Sequence, residues 1–409
     1  PYCRSITGNG VRETLKVIKN KINDLRIIEV PTGTKCFDWK IPKEWNVKDA
    51  YVIDPDGKKV IDFKNSNLHL VNYSSSINRE MELDELNNNL YSLPNKPNAI
   101  PYVTSYYKDS WGFCLQENKR KNLKKGKYRV VIDSTHESGY LTYGELFIKG
   151  KIDKEIFIST YICHPSMANN ELSGPCLTTF LSKYILNKKN KYSYRIIFIP
   201  ETIGSIYYLS KNLEVLKNNV LAGFNINCVG DDNNWSFLAS KDGSNYCDMI
   251  SRRVLKKLKI KYKEYSFLER GSDERQYCSP GVDIPVCSIM RSKYDTYKEY
   301  HTSLDNLDFV SPNGLNKSFN IYKEIFDSIE ADIIPIAKNL GEPMMSKRGL
   351  RPTTGMRGSA NSGRDIMNFL MYSDGKNSLF EISDKIKISM DKAYIILRDL
   401  LKLNLIKVY

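Results

Sequence analysis

Apolar residues fall near helical spacing over residues 8–22, where Val11, Leu15, Val17, Ile18 and Ile22 predict an amphipathic helix. The pattern then changes. Over residues 36–149 short β-rich runs such as "FDWKIP", "AYVID", "LHLVNY", "YRVVIDST" and "GYLTYGELFIKG" alternate with turn signals. Asp56-Gly57 between two apolar runs predicts a hairpin. This segment reads as an inserted β-rich lobe. From residue 150 the pattern changes again. "EIFISTYIC", "YRIIFIP", "VLAGFNINCVG" and "IPVCSIM" are unbroken apolar runs, as expected of strands buried on both faces. Helical segments separate them: "LSGPCLTTFLSKYILN", "GSIYYLSKNLEVLK" and "CDMISRRVLKKLKI". Alternating strand and helix predicts an α/β domain, built from residues 1–35 and 150–340, around a central mixed, largely parallel sheet. Ligands of such sheets sit beyond the carboxyl ends of the strands.

Residues 341–362 are rich in Gly, Pro and Ser and read as a linker. Residues 363–409 show three helical patterns and a terminal strand, the layout of a winged helix. Ser378 with Glu381 predicts a capping box, and Ser389 an N-cap.

Composition narrows the class. At 409 residues, two or three domains are expected. No apolar run reaches the roughly 18 residues of a membrane span, so no membrane partner is expected. The nine cysteines, at 3, 36, 114, 163, 176, 228, 247, 278 and 287, are odd in number and lack a C-x-x-C pair. That argues against a zinc ribbon or a disulfide framework and fits a cytoplasmic protein. The net charge of +14 is spread along the chain and reads as compositional bias on a solvated surface. In the winged-helix segment, "SMDKAYIILRDLLKLN" places Asp399 among its basic residues and shows no basic stripe. An interaction or dimerisation role is favoured there over nucleic-acid binding.

Candidate chemistry concentrates at the strand ends. His164 follows "STYIC" directly, and His301 lies in the polar loop "YHTSLDNLDF". Each is a candidate metal ligand or base, against the alternative of a hydrogen-bonded structural histidine. Glu201 ends the strand "YRIIFIP", where a carboxylate suits a general base or a helix cap. The loop "ERGSDERQYCSPG" offers Asp273, Glu274 and Arg275, able to orient a catalytic group or grip a charged substrate. Aromatics in "YVTSYYKDSWGFC" could wall a substrate site or form core.

In order along residues 150–340, His164, "NELSG", "ETIG", "FNINCVG", "GSDE" and "HTSLD" resemble the zinc-dependent aminopeptidases of the bacterial secreted type and their relatives the glutaminyl cyclases. The strings "CRSITGNGVRETL", "ICHPSMANNELSGP", "FIPETIGS" and "GSDERQYCSPG" resemble more closely a bacterial group of aminopeptidase-like proteins with a β-rich insertion and a C-terminal winged helix. That resemblance implies an association with polysaccharide biosynthesis.

The resemblance implies metal ligation by His164 and His301, with Glu201 as general base and Asp273 as the residue orienting a ligand or an amine. It also marks departures. Asn170 stands where the family has its bridging Asp, Thr202 where it has a ligand Glu, Asn227 where it has a ligand Asp, and Ser166 where an Asp orients the first His. Glu171 is then the candidate third ligand, and Asp231 or Asp232 a substitute for the missing Asp. The implied cofactor is one zinc ion. Asn170, Arg275 and Tyr277 are expected at the substrate. The implied function is a zinc aminopeptidase or amidohydrolase using one metal-activated water on a small amine-bearing or peptide-like substrate. The alternative is a catalytically degenerate ligand-binding protein with a winged-helix interaction or DNA-binding module. A homodimer is compatible with either.

Overall fold

The computed structural model describes residues 2–348 and 360–408. Contacts divide the chain into two units, Pro1–Glu324 and Ile325–Tyr409.

In the first unit a helix, α1 (Asn9–Lys19), buries Val11, Leu15 and Ile18, the stripe its spacing predicts. Strand β1 (Arg26–Pro31) enters the main sheet. The chain then leaves to build the lobe. There β2 (Glu44–Ile53), β3 (Lys59–Asp62), β4 (Ile77–Glu82) and β5 (Lys127–Glu137) form an antiparallel sheet in the order β3-β2-β5-β4. The Asp56-Gly57 turn closes β2 onto β3, with Gly57 at φ 79°. "LHLVNY" is not a strand: residues 67–69 form a single helical turn, and His69 Nδ1 lies 2.7 Å from the Cys114 carbonyl.

Strand β6 (Tyr140–Ile148) corrects the lobe boundary of 36–149. It pairs with β1 and with β8 (Ser193–Ile199), both antiparallel, so it belongs to the main sheet. The remaining strands are β7 (Glu155–Tyr161), β9 (Val220–Asn225), β10 (Ser236–Leu238), β11 (Lys263–Tyr265) and β12 (Val286–Met290). The eight-stranded order is β1-β6-β8-β7-β9-β12-β10-β11. Its centre, β8-β7-β9-β12, is parallel. Every residue of β7 is buried, as its unbroken apolar run requires. Helices α2 (Ser173–Leu186), α3 (Ile203–Asn219), α4 (Tyr246–Lys257) and α5 (Glu274–Tyr277) alternate with these strands. Helix α6 (Pro312–Ala331) spans the division between the units.

In the second unit β13 (Pro335–Ala337) pairs antiparallel with β14 (Ile406–Val408). Residues 335–337 therefore belong to the C-terminal unit, not to the α/β domain drawn to 340. Between them lie α7 (Ala360–Met371), α8 (Leu379–Lys385) and α9 (Met390–Lys402). Ser378 and Glu381 form the expected reciprocal cap, and the Ser389 side chain caps α9. Of the linker expected at 341–362, residues 349–359 lie outside the described residues. All nine cysteines are free thiols, and only Cys176 is exposed. Among the described residues, no helix is long and apolar enough to cross a membrane.

Candidate active-site cleft

The cleft opens beyond the carboxyl ends of β7 and β8. His164 follows β7 by three residues and is buried. Its Nδ1 lies 3.0 Å from Glu171 Oε2, and the same oxygen accepts the His164 backbone amide at 3.0 Å. Arg4 closes this arrangement: its Nε donates to the His164 carbonyl at 2.8 Å and sits 3.3 Å from Glu171 Oε1. Both side chains of that pair are almost wholly buried. A carboxylate behind an imidazole fixes the ring and leaves the other nitrogen facing outward. His164 Nε2 accordingly lies 3.6 Å from Glu201 Oε2. Burial works against protonation of His164. Cys163, Glu171 and Glu201 outweigh it and carry the imidazole well above its usual range.

Glu201 is not a helix cap. Its Oε1 accepts the Ser272 hydroxyl at 2.7 Å, and its backbone amide donates to Cys163 Sγ at 3.3 Å. Burial pushes its carboxyl up. The next residue, Thr202, has φ 64°, an unfavourable conformation for a β-branched side chain. Two contacts hold this turn. The Thr202 amide donates to Asp273 Oδ1 at 2.8 Å, and Arg275 Nη2 donates to Thr202 Oγ1 at 2.6 Å. Burial, with Glu201 nearby, raises the Asp273 carboxyl to about 8.

The lobe supplies the opposite wall. The Tyr102 amide donates to the His301 carbonyl at 2.8 Å, and the Ile100 amide to Ser303 Oγ at 3.0 Å. This pairing sets the Tyr102 ring 5.3 Å from that of His164 and 5.2 Å from that of His301. Tyr300 stacks on His301 at 3.9 Å. Burial beside His164 depresses His301 to about 3. The resulting cavity of about 300 Å³ is lined by His164, Glu201, Arg275 and His301, by Tyr102, Tyr106, Tyr107 and Trp39, and by smaller residues.

Four of the eight expected site residues thus face one cavity. The other four do not. Tyr277 is a correction: it is fully buried, its hydroxyl bonded to Ser159 and Ser205 beneath the site. Glu171 turns toward His164 and Arg4 and does not line the cavity: its Oε2 holds His164, and its Oε1 lies 3.3 Å from Arg4 Nε. Asp273 braces the Thr202 turn. Asn170 is 2% exposed, and its Oδ1 accepts the Tyr161 hydroxyl at 2.9 Å. Asp231 and Asp232 are engaged elsewhere, by Asn169 and Ser292 and by Ser311 and Asn313 respectively. Sequence reasoning missed Arg4, Ser272 and the role of Asp305. Asp305 Oδ1 accepts the amides of Ala168 and Asn169, and its Oδ2 that of Asn170. The "HTSLD" string carried a signal for Asp305; nothing local marked Arg4.

These geometries test the zinc expectation. The donors still facing the cavity are His164 Nε2, His301 and Glu201 Oε2. The two imidazole rings lie 5.7 Å apart. Among the described residues, one group of three His, Cys, Asp or Glu donors lies within 4.8 Å of one another: Cys247, Asp248 and Cys287, in the core and away from this cleft. Asp248 there caps α4. At two of the family's lost ligand positions, 170 and 227, stand amides, and at the third the Thr202 hydroxyl. Asn170 Nδ2 and both polar side-chain atoms of Asn227 are buried without a hydrogen-bond partner. Amide N–H groups offer no anionic charge to a dication, and catalytic zinc takes three converging protein ligands. The cavity is left with two imidazoles and one carboxylate, too few anionic donors for a two-metal centre.

Strand order, cleft position and the lobe define an aminopeptidase-fold protein. The chain belongs to the family described as "Domain of unknown function (DUF4910)", whose model matches residues 1–332; a winged helix-turn-helix model matches 333–408. A Clostridium acetobutylicum protein is 46% identical over 98% of this chain and 94% of its own length. Its name assigns it provisionally to polysaccharide biosynthesis, with an aminopeptidase-like domain. A crystal structure of a provisional peptidase from that organism superposes with a TM-score of 0.85 at 44% identity, covering 100% of this chain and 94% of its own. A zinc aminopeptidase of Bacillus subtilis shares the fold, with a TM-score of 0.59 at 12% identity over 80% of this chain and 90% of its own.

Proposed function

We propose that the cleft binds a small amine-bearing ligand and does so without zinc-dependent hydrolysis. The observation that carries this reading is the pairing of Glu201 and Arg275 on one cavity. Glu201 offers a carboxylate oxygen not used by Ser272, which suits an ammonium group. Arg275 is exposed and offers guanidinium donors beyond the one held by Thr202, which suits a carboxylate or phosphate on the same ligand. Tyr102 and Tyr106 supply apolar walls of the kind that small-molecule sites use. Asp273 positions Glu201 by bracing the turn that follows it, and Glu171 with Arg4 positions His164. The relative's name, with its link to polysaccharide biosynthesis, is compatible with an amino sugar as well as with an amino acid or peptide.

The competing reading is the single-zinc amidohydrolase implied by the resemblance. One pair of measurements decides between them. Elemental analysis of protein purified without a metal-affinity tag should give zinc well below one ion per chain. Calorimetric titration with glucosamine and with leucinamide should show binding of at least one. That binding should be absent for the N-acetylated counterpart and weakened at least tenfold in Glu201→Gln. Stoichiometric zinc, lost in both His164→Ala and His301→Ala, would overturn the proposal.

A further inference from the structure

Helix α2 is apolar on both faces. One face packs Leu177, Leu181 and Ile185 into the core. The other carries Cys176, Phe180 and Lys183, spaced four and three apart and therefore in one line, with Thr179 beside them. This second face forms one wall of a trough whose other walls are α1, through Val17 and Ile18, and the 307–315 segment. The trough holds about 530 Å³ and adjoins a second groove of about 370 Å³ that shares Cys176, Phe180 and Leu315. Phe180 is 58% exposed and Leu307 73%. A contiguous apolar surface of this kind marks a binding site.

Charge identifies the occupant. The only ionisable side chains besides Cys176 lining either groove are Lys21 and Lys183. Both are exposed, and neither side chain has an ion pair or hydrogen bond among the described residues. A second copy of this chain seated here across a twofold axis would bring no carboxylate from the same trough to these lysines, since an isologous interface uses one patch on both subunits. A single alkyl chain fills such a volume, and two unpaired ammonium groups at the rim match a dianionic head.

We propose that this trough binds a single-chain alkyl or prenyl phosphate, taken up as a monomer from solution, with its chain along Phe180 and Leu315 and its phosphate between Lys21 and Lys183. The site is separate from the cleft and does not depend on its reading.

The test uses the full chain and dodecyl phosphate below its micelle concentration, read by calorimetry and by the rate of maleimide modification of Cys176, the one exposed thiol. Dodecyl phosphate should bind and slow that modification at least tenfold. Decyl phosphate should bind more weakly by roughly fifteenfold, at about fourfold per methylene. The Lys21→Gln/Lys183→Gln variant should bind dodecyl phosphate at least tenfold more weakly while keeping the native circular dichroism spectrum. Equal affinity for neutral dodecyl maltoside would overturn the proposal. So would binding confined to phosphatidylglycerol vesicles, or a dimer by sedimentation in which Cys176 is already protected.

Discussion

Glu171 and Leu172 are neighbours in the chain and serve two opposite kinds of surface. Glu171 is buried and paired, and with it the cleft ties its charged groups into a network: Arg4 to Glu171, Glu171 to His164, Glu201 to Ser272, Asp273 to Thr202. Leu172 lines the trough, where apolar side chains stand in solvent and two lysines have no partner. A buried charge is tolerated only when paired, so the cleft is held rigid before any ligand arrives. Exposed apolar area costs little rigidity and leaves its free energy to be gained on binding. The cleft is built for geometry and the trough for affinity.

The sharpest way to break the contrast is Arg4→Ala. It leaves the buried Glu171 carboxylate with His164 alone beside it and should cost up to about 3–5 kcal/mol of stability, read by urea unfolding, together with loss of amine binding. Next is Asp273→Ala, which removes the acceptor for the Thr202 amide in a strained turn; about 1–3 kcal/mol should be lost. Asp273→Asn keeps an acceptor and tests the electrostatics separately. A carboxyl raised to about 8 in the folded protein binds its proton more tightly than the unfolded chain does. The contribution of Asp273 to stability therefore falls as pH rises from about 4 to about 8. Unfolding midpoints measured across that range should lose this slope in the Asn variant; an unchanged slope would place its origin elsewhere. The smallest effect belongs to the trough: Phe180→Ala is expected to change stability by no more than about 0.5 kcal/mol, because the ring is largely exposed.

The same contrast explains what the sequence made legible. The buried strands β7, β8, β9 and β12 announced themselves as unbroken apolar runs, and with them the places of His164 and Glu201. Strand β6 did not. Only Ser138 and Gly139 separate it from β5, so both read as part of the lobe, although they lie in different sheets. Residue 171 was legible as a carboxylate near the site but not in its direction. The wide turn at residues 168–172 aims it back at His164, and that turn is set by Asp305, more than 130 residues away. Tyr277 looked available in a polar loop because a four-residue helix gives no periodicity from which to read its inward face. Arg4, which neutralises Glu171, could not be found by spacing at all, since its partners are 160 and 167 residues distant. Long-range pairing of charges is the part of a site that local pattern does not encode.

The distance between those partners has a consequence during synthesis. Asp305, which anchors the amides of residues 168–170, is synthesised some 300 residues after Arg4. At 5–20 residues per second that interval is roughly 15–60 s. In its second half the nascent chain carries β7 and then its neighbours ready to pair while the loop bearing His164 lacks its anchor. A chain stalled before residue 305 would hold a finished sheet beneath an unfinished cleft, a form that a protease or chaperone could tell from the completed protein.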